Sequence, residues 1–342
     1  VNNRLIGPAK LLALLSLLLP AVVVMALMLG VVQISFSELL GLIKAGIFAD
    51  SQDSLIFYQI RLPRVILGLL IGATLASCGA VLQGLFRNPL ADPTLIGVAA
   101  GASAGASCVI VFGAAMFGGY AVLGLPLVAA GAFLGGLLSV LLVYRLASTA
   151  EGTSVSTMLL AGIAISALAG ALNSLFSFFS DDHMLRRISL WQMGGLDAAN
   201  WQHVLMMSIV ALVLVLFLPR ESLGLNAMLL GESEARHLGI DVERMKRKLI
   251  VLSALGVGVS VAVAGWIAFI GLIVPHVIRL LIGPDHRYLV AASALLGGAL
   301  LVIADAFARL LVAPSELPVG VLTALLGAPF FISLLMQNRR FS

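Results

Sequence analysis

Apolar residues run along this chain in long blocks, separated by short polar stretches. Blocks of spanning length cover Leu11–Val32, Val65–Leu85, Leu95–Phe112, Tyr120–Leu146, Val155–Phe176, Val204–Leu218, Leu289–Val312 and Val319–Met336. A helix crossing a hydrocarbon core of about 30 Å needs about 20 such residues, so each block predicts one transmembrane helix. Leu249–Ile282 is too long for one, because its 34 positions would make about 51 Å of helix. Gly265, Gly271 and Pro275 interrupt it, which predicts a full span followed by a short returning one. The pattern is that of an all-α polytopic membrane protein with about ten transmembrane helices, forming one transmembrane domain over residues 1–342.

The sharpest polar interruption is Arg220 to Lys248, which holds eleven of the chain's charged residues. Each ionised side chain costs about 2.5–3.5 kcal/mol at the centre of a bilayer, so residues 220–248 lie outside it. Ser222–Leu230 and Ser233–Leu238 predict two short helices, separated by Gly231 and closed by Gly239, with Ser233 as N-cap of the second. Met228, Leu229, Ala235 and Leu238 give them an apolar side. Helices so short fall below the ~12–15 residues that isolated helices need, so packing must order them. Lipid headgroups or a docking soluble protein would each serve.

Composition narrows the class. The chain is 61% hydrophobic and 11% charged, too apolar for a water-soluble domain. Its blocks are too long and continuous for an outer-membrane barrel. If both termini share the side of residues 220–248, fourteen basic residues fall there, Arg4, Lys10, Arg339 and Arg340 among them. Six fall opposite: Lys44, Arg61, Arg64, Arg186, Arg187 and Arg309. That asymmetry predicts cytoplasmic termini, and the net charge of +4 reflects it rather than a nucleic-acid surface. Leu11–Val32 is too long for a signal-peptide core, so it is expected to be a retained span. Cys78 and Cys108 fall inside apolar blocks as packing residues.

Glycine and alanine recur every four positions at Gly68, Gly72, Ala76, Ala80 and Gly84, and again at Gly97, Gly101 and Gly105. Such stripes let helix backbones approach closely. The stretch Ser177–Trp201 carries an acidic pair, a basic pair and two tryptophans, Trp191 and Trp201, expected as interfacial anchors.

The chain has no HExxH, CxxC or GxSxG, and none of its four lysines follows a glycine, so it has no Walker A loop. No catalytic residue, metal site or cofactor is expected. The spans carry no acid at mid-depth, as an ion-coupled carrier usually would; Asp305 lies near a span end with Arg309 at i+4. An ion-coupled secondary transporter remains the alternative to a carrier driven from outside, and residues 220–248 offer a place for such a drive. Arg61, Arg64 and Arg309 either snorkel to headgroups or offer cations to carboxylates on an extracytoplasmic protein.

Four motifs carry a resemblance: RLPRVILGLLIGATLASCGAVLQGLFRNPLADPTLIGV (61–98), LLGESEARHLGID (229–241), AFIGLIVPHVIRLLIGPDHR (268–287) and ADAFARLLVAPSELPVGVLTALLGAPFFISLL (304–335). In this order they resemble the FecCD-type permeases, the membrane subunits of ATP-binding-cassette importers for iron-siderophores, haem and vitamin B12. Ala268 stands where the family has glycine. The resemblance implies a type II ABC importer permease-like bundle in the bacterial inner membrane, working as a permease homodimer. It further implies two cytoplasmic ATPase subunits, which hold ATP and Mg, and a periplasmic substrate-binding protein.

By the same resemblance the ATPase-docking residues are Leu223, Met228, Leu229, Gly231, Glu232, Ala235, Arg236, Leu238 and Gly239. Arg61, Arg64 and Arg309 would dock the binding protein, and the fifth and tenth spans would line the substrate path. On the fifth, Ser166, Asn173 and Ser177 fall close to one helical side. The stretches around 86–98, 180–196 and 234–244 are more similar to haem permeases than to siderophore ones, with His183, Met184 and Met193 as conceivable transient iron ligands.

Overall fold

The computed structural model describes residues 5–30, 32–46, 51–89, 91–92, 97–117, 120–149 and 152–338. Arg4, Arg339 and Arg340, which entered the charge assignment above, lie outside the described residues. Among the described residues, seven helices are long and apolar enough to cross a membrane and three apolar ones are shorter. The expectation of about ten spans therefore matches. In chain order the spans are α1 (Pro8–Met28), α4 (Leu62–Leu85), α5 (Val98–Phe117), α6 (Tyr120–Ala147), α7 (Val155–Phe178), α9 (Trp201–Phe217), α12 (Val242–Ala264), α13 (Ile270–Ile282), α14 (His286–Leu311) and α15 (Val319–Asn338). The short helices are α2 (Phe36–Ala45), α3 (Gln52–Leu55), α8 (Asp182–Met193), α10 (Ser222–Met228) and α11 (Glu232–His237). A π-helical turn, Ile56–Arg61, leads into α4. One minimal antiparallel pair, β1 (Ser148–Thr149) with β2 (Gly152–Thr153), joins α6 to α7.

Helix α4 is the axis of the bundle and packs against α9, α12, α13 and α14. Lipid tails are as apolar as leucine, so apolar burial alone does little to hold two spans together, and close backbone packing must do more. The small-residue stripes supply it. Gly72 of α4 meets Gly297 of α14, and Gly79 meets Gly271 of α13, so closely that a methyl group at either would run into the partner's carbonyl. Gly101 and Gly105 of α5 meet Gly131, Gly135 and Ser139 of α6 in the same way.

The long block divides, as expected, into a full span and a short returning one, but of the three predicted breakers only Gly265 acts. Gly265 and Phe269, both at φ +67°, make the break between α12 and α13. Gly271 and Pro275 lie within α13, the first serving as a packing surface for Gly79. The 13 residues of α13 rise only about 20 Å, so the returning span is short. Helix α12 also starts earlier, at Val242 with Asp241 as cap, and takes in the basic run Arg244–Lys248.

The two ends of the bundle differ. Residues 219–248 mark the polar end; the Leu5 and Ile6 amides reach it by donating to the Leu281 carbonyl. At the far end two backbone hydrogen bonds and two close approaches pin α8, α12 and α15 together. The Gly195 amide donates to Ala264, the Gly320 amide donates to Gly194, and Gly194 and Gly265 lie against the backbones of Trp266 and Trp191.

Candidate functional site: a polar-end platform and a central groove

At the polar end, α9 runs through a 3-10 turn at Pro219–Glu221 into α10 and α11. Their inner side is anchored by Leu225, Met228 and Ala235, all fully buried in the main core. Their outer side is apolar and open, with Leu223, Leu229, Leu230 and Leu238 exposed at 66%, 41%, 68% and 63%. The docking set expected from sequence therefore splits. Leu223, Leu229 and Leu238 face outward, whereas Met228 and Ala235 are part of the chain's own core, because side chains on opposite faces of so short a helix cannot share one surface. Ser233 is not the N-cap; Gly231, at φ +136°, holds that place, and Gly239 at φ +83° closes the helix.

Ion pairs stiffen this platform. Lys246 Nζ, almost wholly buried, donates to Glu232 Oε1 at 2.8 Å and to Glu243 Oε1 at 3.1 Å. Arg236 donates to Glu232 Oε1 at 2.7 Å. Burial pushes the Glu232 carboxyl up, but the hydrogen bond and charge of Lys246, with Arg236 adding to them, outweigh it and hold the group below the usual carboxylate range. Asn226 of α10 is tied to the start of α14: its Nδ2 donates to Asp285 Oδ1 at 2.8 Å, and its Oδ1 accepts from the His286 amide at 2.9 Å. The Arg287 guanidinium, with Asn226 adding to it, holds the Asp285 carboxyl well below its ordinary value despite partial burial.

Helix α7 carries the second feature. Ser166, Asn173 and Ser177, predicted to share one side, line a groove of about 820 Å³ together with Ser103, Ser174, Gln192, Trp191 and Trp266. Among the described residues the lining is made of hydroxyls, amides, indoles and apolar groups, with no charged side chain. Asn173 Nδ2 donates to Ser103 Oγ at 3.1 Å, while its buried Oδ1 has no partner among the described residues. Such a surface can slide along a large ligand through exchangeable hydrogen bonds without trapping it.

Among the described residues, helix α15 contributes none of the groove's lining. His183, Met184 and Met193 are likewise not among the lining residues. Sequence reasoning missed Trp266, Gln192 and Ser103, and it read Trp191 as an interfacial anchor although the ring lines the groove. The one usable signal was Trp266 beside the helix-breaking Gly265. Trp201 does sit half exposed, its indole donating to the Tyr58 carbonyl at 3.0 Å.

The far-end arginines require a correction. Arg61, Arg64 and Arg309 are 5%, 7% and 4% exposed, so they are not offered to a soluble partner in this chain. Arg64 clamps Asp305 through both carboxylate oxygens, with Nε at 3.1 Å from each, and reaches Glu316 at 2.7 Å. Arg309 pairs with Asp305 at 3.2 Å. The remaining donors close the C-terminus of α1: Arg309 donates to the Ala26 and Leu29 carbonyls, and Arg61 to those of Leu27, Met28 and Val32. The last carbonyls of a helix have no partner within it, and a cation is favoured there by the helix dipole. The arginines serve that internal need.

Comparison with known proteins agrees with this architecture. The model of the FecCD transport family matches residues 17–337. The hemin transport system permease protein HmuU of Yersinia pestis is 41% identical over 341 residues, covering 99% of this chain and 98% of that protein. The cobalamin import system permease protein BtuC of Halobacterium salinarum is 44% identical over 282 residues, or 82% and 73% of the two chains. A solved structure described as an inward-facing conformation of a metal-chelate type ABC transporter superposes with a TM-score of 0.83 at 33% identity, covering 96% of this chain and 99% of that one. Joined to the bundle of long and short apolar helices, a match that runs nearly from end to end leaves one conclusion: the chain belongs to the FecCD transport family.

Proposed function

We propose that this protein is the membrane permease subunit of an ATP-binding-cassette importer that moves an iron chelate, haem first among them, from periplasm to cytoplasm. In this reading it sits in the bacterial inner membrane with both termini and the polar end cytoplasmic. It works as a single transmembrane domain paired with a second copy. Two separate ATPase subunits, holding ATP and Mg, dock on α10 and α11, and a substrate-binding protein delivers cargo at the far end. That delivery would use the exposed rim around Asp181, Asp182 and Arg186 rather than the three buried arginines. Ser166, Asn173 and Ser177 would line the path.

The observation that carries the reading is the row Leu223, Leu229, Leu230 and Leu238, exposed on a platform rich in ionised groups. Charges keep that platform out of hydrocarbon, so its apolar row requires a protein partner to cover it. A chain without a Walker A loop gains its energy source through such a partner. Closure of the partner's ATP sites would move α10 and α11 and so bias the bundle between two states. The groove's volume of about 820 Å³ lies high in the usual ligand-pocket range of ~300–1,000 Å³, as a bulky chelate requires.

Haem is favoured because the hemin permease matches over nearly the whole of both chains. Cobalamin is the second reading, supported by the higher identity of its permease over a shorter stretch.

The test is uptake into vesicles holding the chain with its ATPases. Haem, a ferric siderophore or cobalamin, each on its binding protein, is offered in turn, and the expected cargo is the one that stimulates ATP hydrolysis. Replacing Leu223 and Leu238 by aspartate is expected to weaken ATPase association at least about tenfold, the equivalent of ~1.4 kcal/mol. Uptake driven by an ion gradient after internal ATP is removed would establish the secondary-transporter alternative instead.

A further inference from the structure

Thr153 ends β2 and stands two positions before α7, the helix that carries Ser166, Asn173 and Ser177 on the groove wall. Both of its backbone polar groups are taken by side chains from the polar-end platform. Its amide donates to Glu243 Oε2 at 3.1 Å, and its carbonyl accepts from Lys246 Nζ at 3.4 Å. The same ammonium holds Glu232 of α11 and Glu243 of α12, at 2.8 and 3.1 Å. A single side chain, 3% exposed, thus joins α11, α12 and the entrance to α7.

The platform has a second attachment, and the contrast between the two is informative. Asn226 ties α10 to the start of α14, whose most apolar window is 67% buried and which packs along α4. The corresponding figure for α7 is 22%. Displacement of the platform therefore reaches α14 through Asn226 and α7 through Lys246. Apolar contacts alone would let the platform slip; an ammonium held by two carboxylates and the Thr153 carbonyl resists slipping, because separating it from both carboxylates would strand a buried charge.

We infer that the Lys246–Glu243–Thr153 strap transmits displacement of α10 and α11 to α7, and that Lys246 and Glu243 are positioning residues for the groove. This rests on the reading of α10 and α11 as the ATPase dock. It adds which atoms turn motion of the dock into motion of the groove wall.

The test uses the reconstituted permease with its ATPase subunits and hemin presented on its binding protein as probe. In Lys246→Met the complex is expected to assemble while hemin taken up per ATP hydrolysed falls about tenfold, within the ~5–150-fold range of coupling between sites. Lys246→Arg, which keeps the charge and donors, restores most of it. Spin labels at Ser156 and Ser233, both exposed and neither in the docking row, keep a constant separation across nucleotide states when Lys246 is present and lose that constancy in Lys246→Met.

Should Lys246→Met fail to fold, Thr153→Pro deletes the amide donor to Glu243 without touching any charge, and the same loss of uptake per ATP is expected. An unchanged ratio of uptake to hydrolysis in these variants overturns the strap, as does a parallel fall of both, which would mark a purely structural role. ATP-independent uptake by the unaltered protein would overturn the dock and the strap together.

Discussion

Asp305 is the residue on which the far end balances. It receives Arg64 through both oxygens and Arg309 through one, all with little solvent. Taking away one partner of a buried ion pair leaves the other charge uncompensated, at a cost of about 3–5 kcal/mol. Asp305→Ala is therefore expected to lower stability by that order, read as a large drop in thermal unfolding temperature in detergent micelles. Glu316→Ala, whose carboxylate is 39% exposed, should cost no more than about 1 kcal/mol. Equal losses in the two variants would show that burial does not govern this cluster. The Asp305–Arg309 pair was legible in sequence, since i and i+4 share a helix face. Arg64 was not: it reaches Asp305 across 241 positions, and no local pattern encodes that. Ser166, Asn173 and Ser177 were legible as one side for the same helical reason, whereas Ser103 arrives at the groove from α5 and Trp266 from the break between α12 and α13.

Among the elements, α4 and α13 show where a small side chain is required rather than tolerated. Gly79 lies against the Gly271 backbone, which cannot swing aside as a side-chain tip could. Gly79→Ala is expected to destabilise by about 1–3 kcal/mol, as overpacking does. Gly41 sits in α2 with nothing near its Cα hydrogens, so Gly41→Ala should stabilise by about 0.5–1 kcal/mol through helix propensity. Unfolding in detergent compares the two, and a neutral Gly79→Ala would contradict the packing described. The stripes themselves could be read from spacing, but their partners could not. Gly271 illustrates the limit: sequence suggested a helix breaker, while tertiary contact makes it the floor on which α4 rests. The break falls at Gly265, which the sequence did suggest, and at Phe269, which it did not, both with positive φ.

For the whole molecule, the division into a polar end and a far end predicts how the protein is inserted. With the native cysteines replaced, Arg244→Cys, exposed at the polar end outside the docking row, should resist a membrane-impermeant maleimide in intact spheroplasts and react in inverted vesicles. Asp182→Cys should do the reverse. The opposite pattern would invert the assignment of sides and remove the ATPase dock with it.

Hydropathy is a local and additive property, so the chain's sequence alone determined that it crosses a membrane about ten times. It also carries the concentration of charge in residues 220–248 and has no Walker A loop. Only the folded molecule decided which charges remain free and which are consumed. Arg61, Arg64 and Arg309 turned out to close α1 and neutralise Asp305, while half of the platform's apolar residues turned inward. Those outcomes depend on distances between residues far apart in the chain, and a hydrogen bond or ion pair acts over a few ångströms of space whatever the separation in sequence.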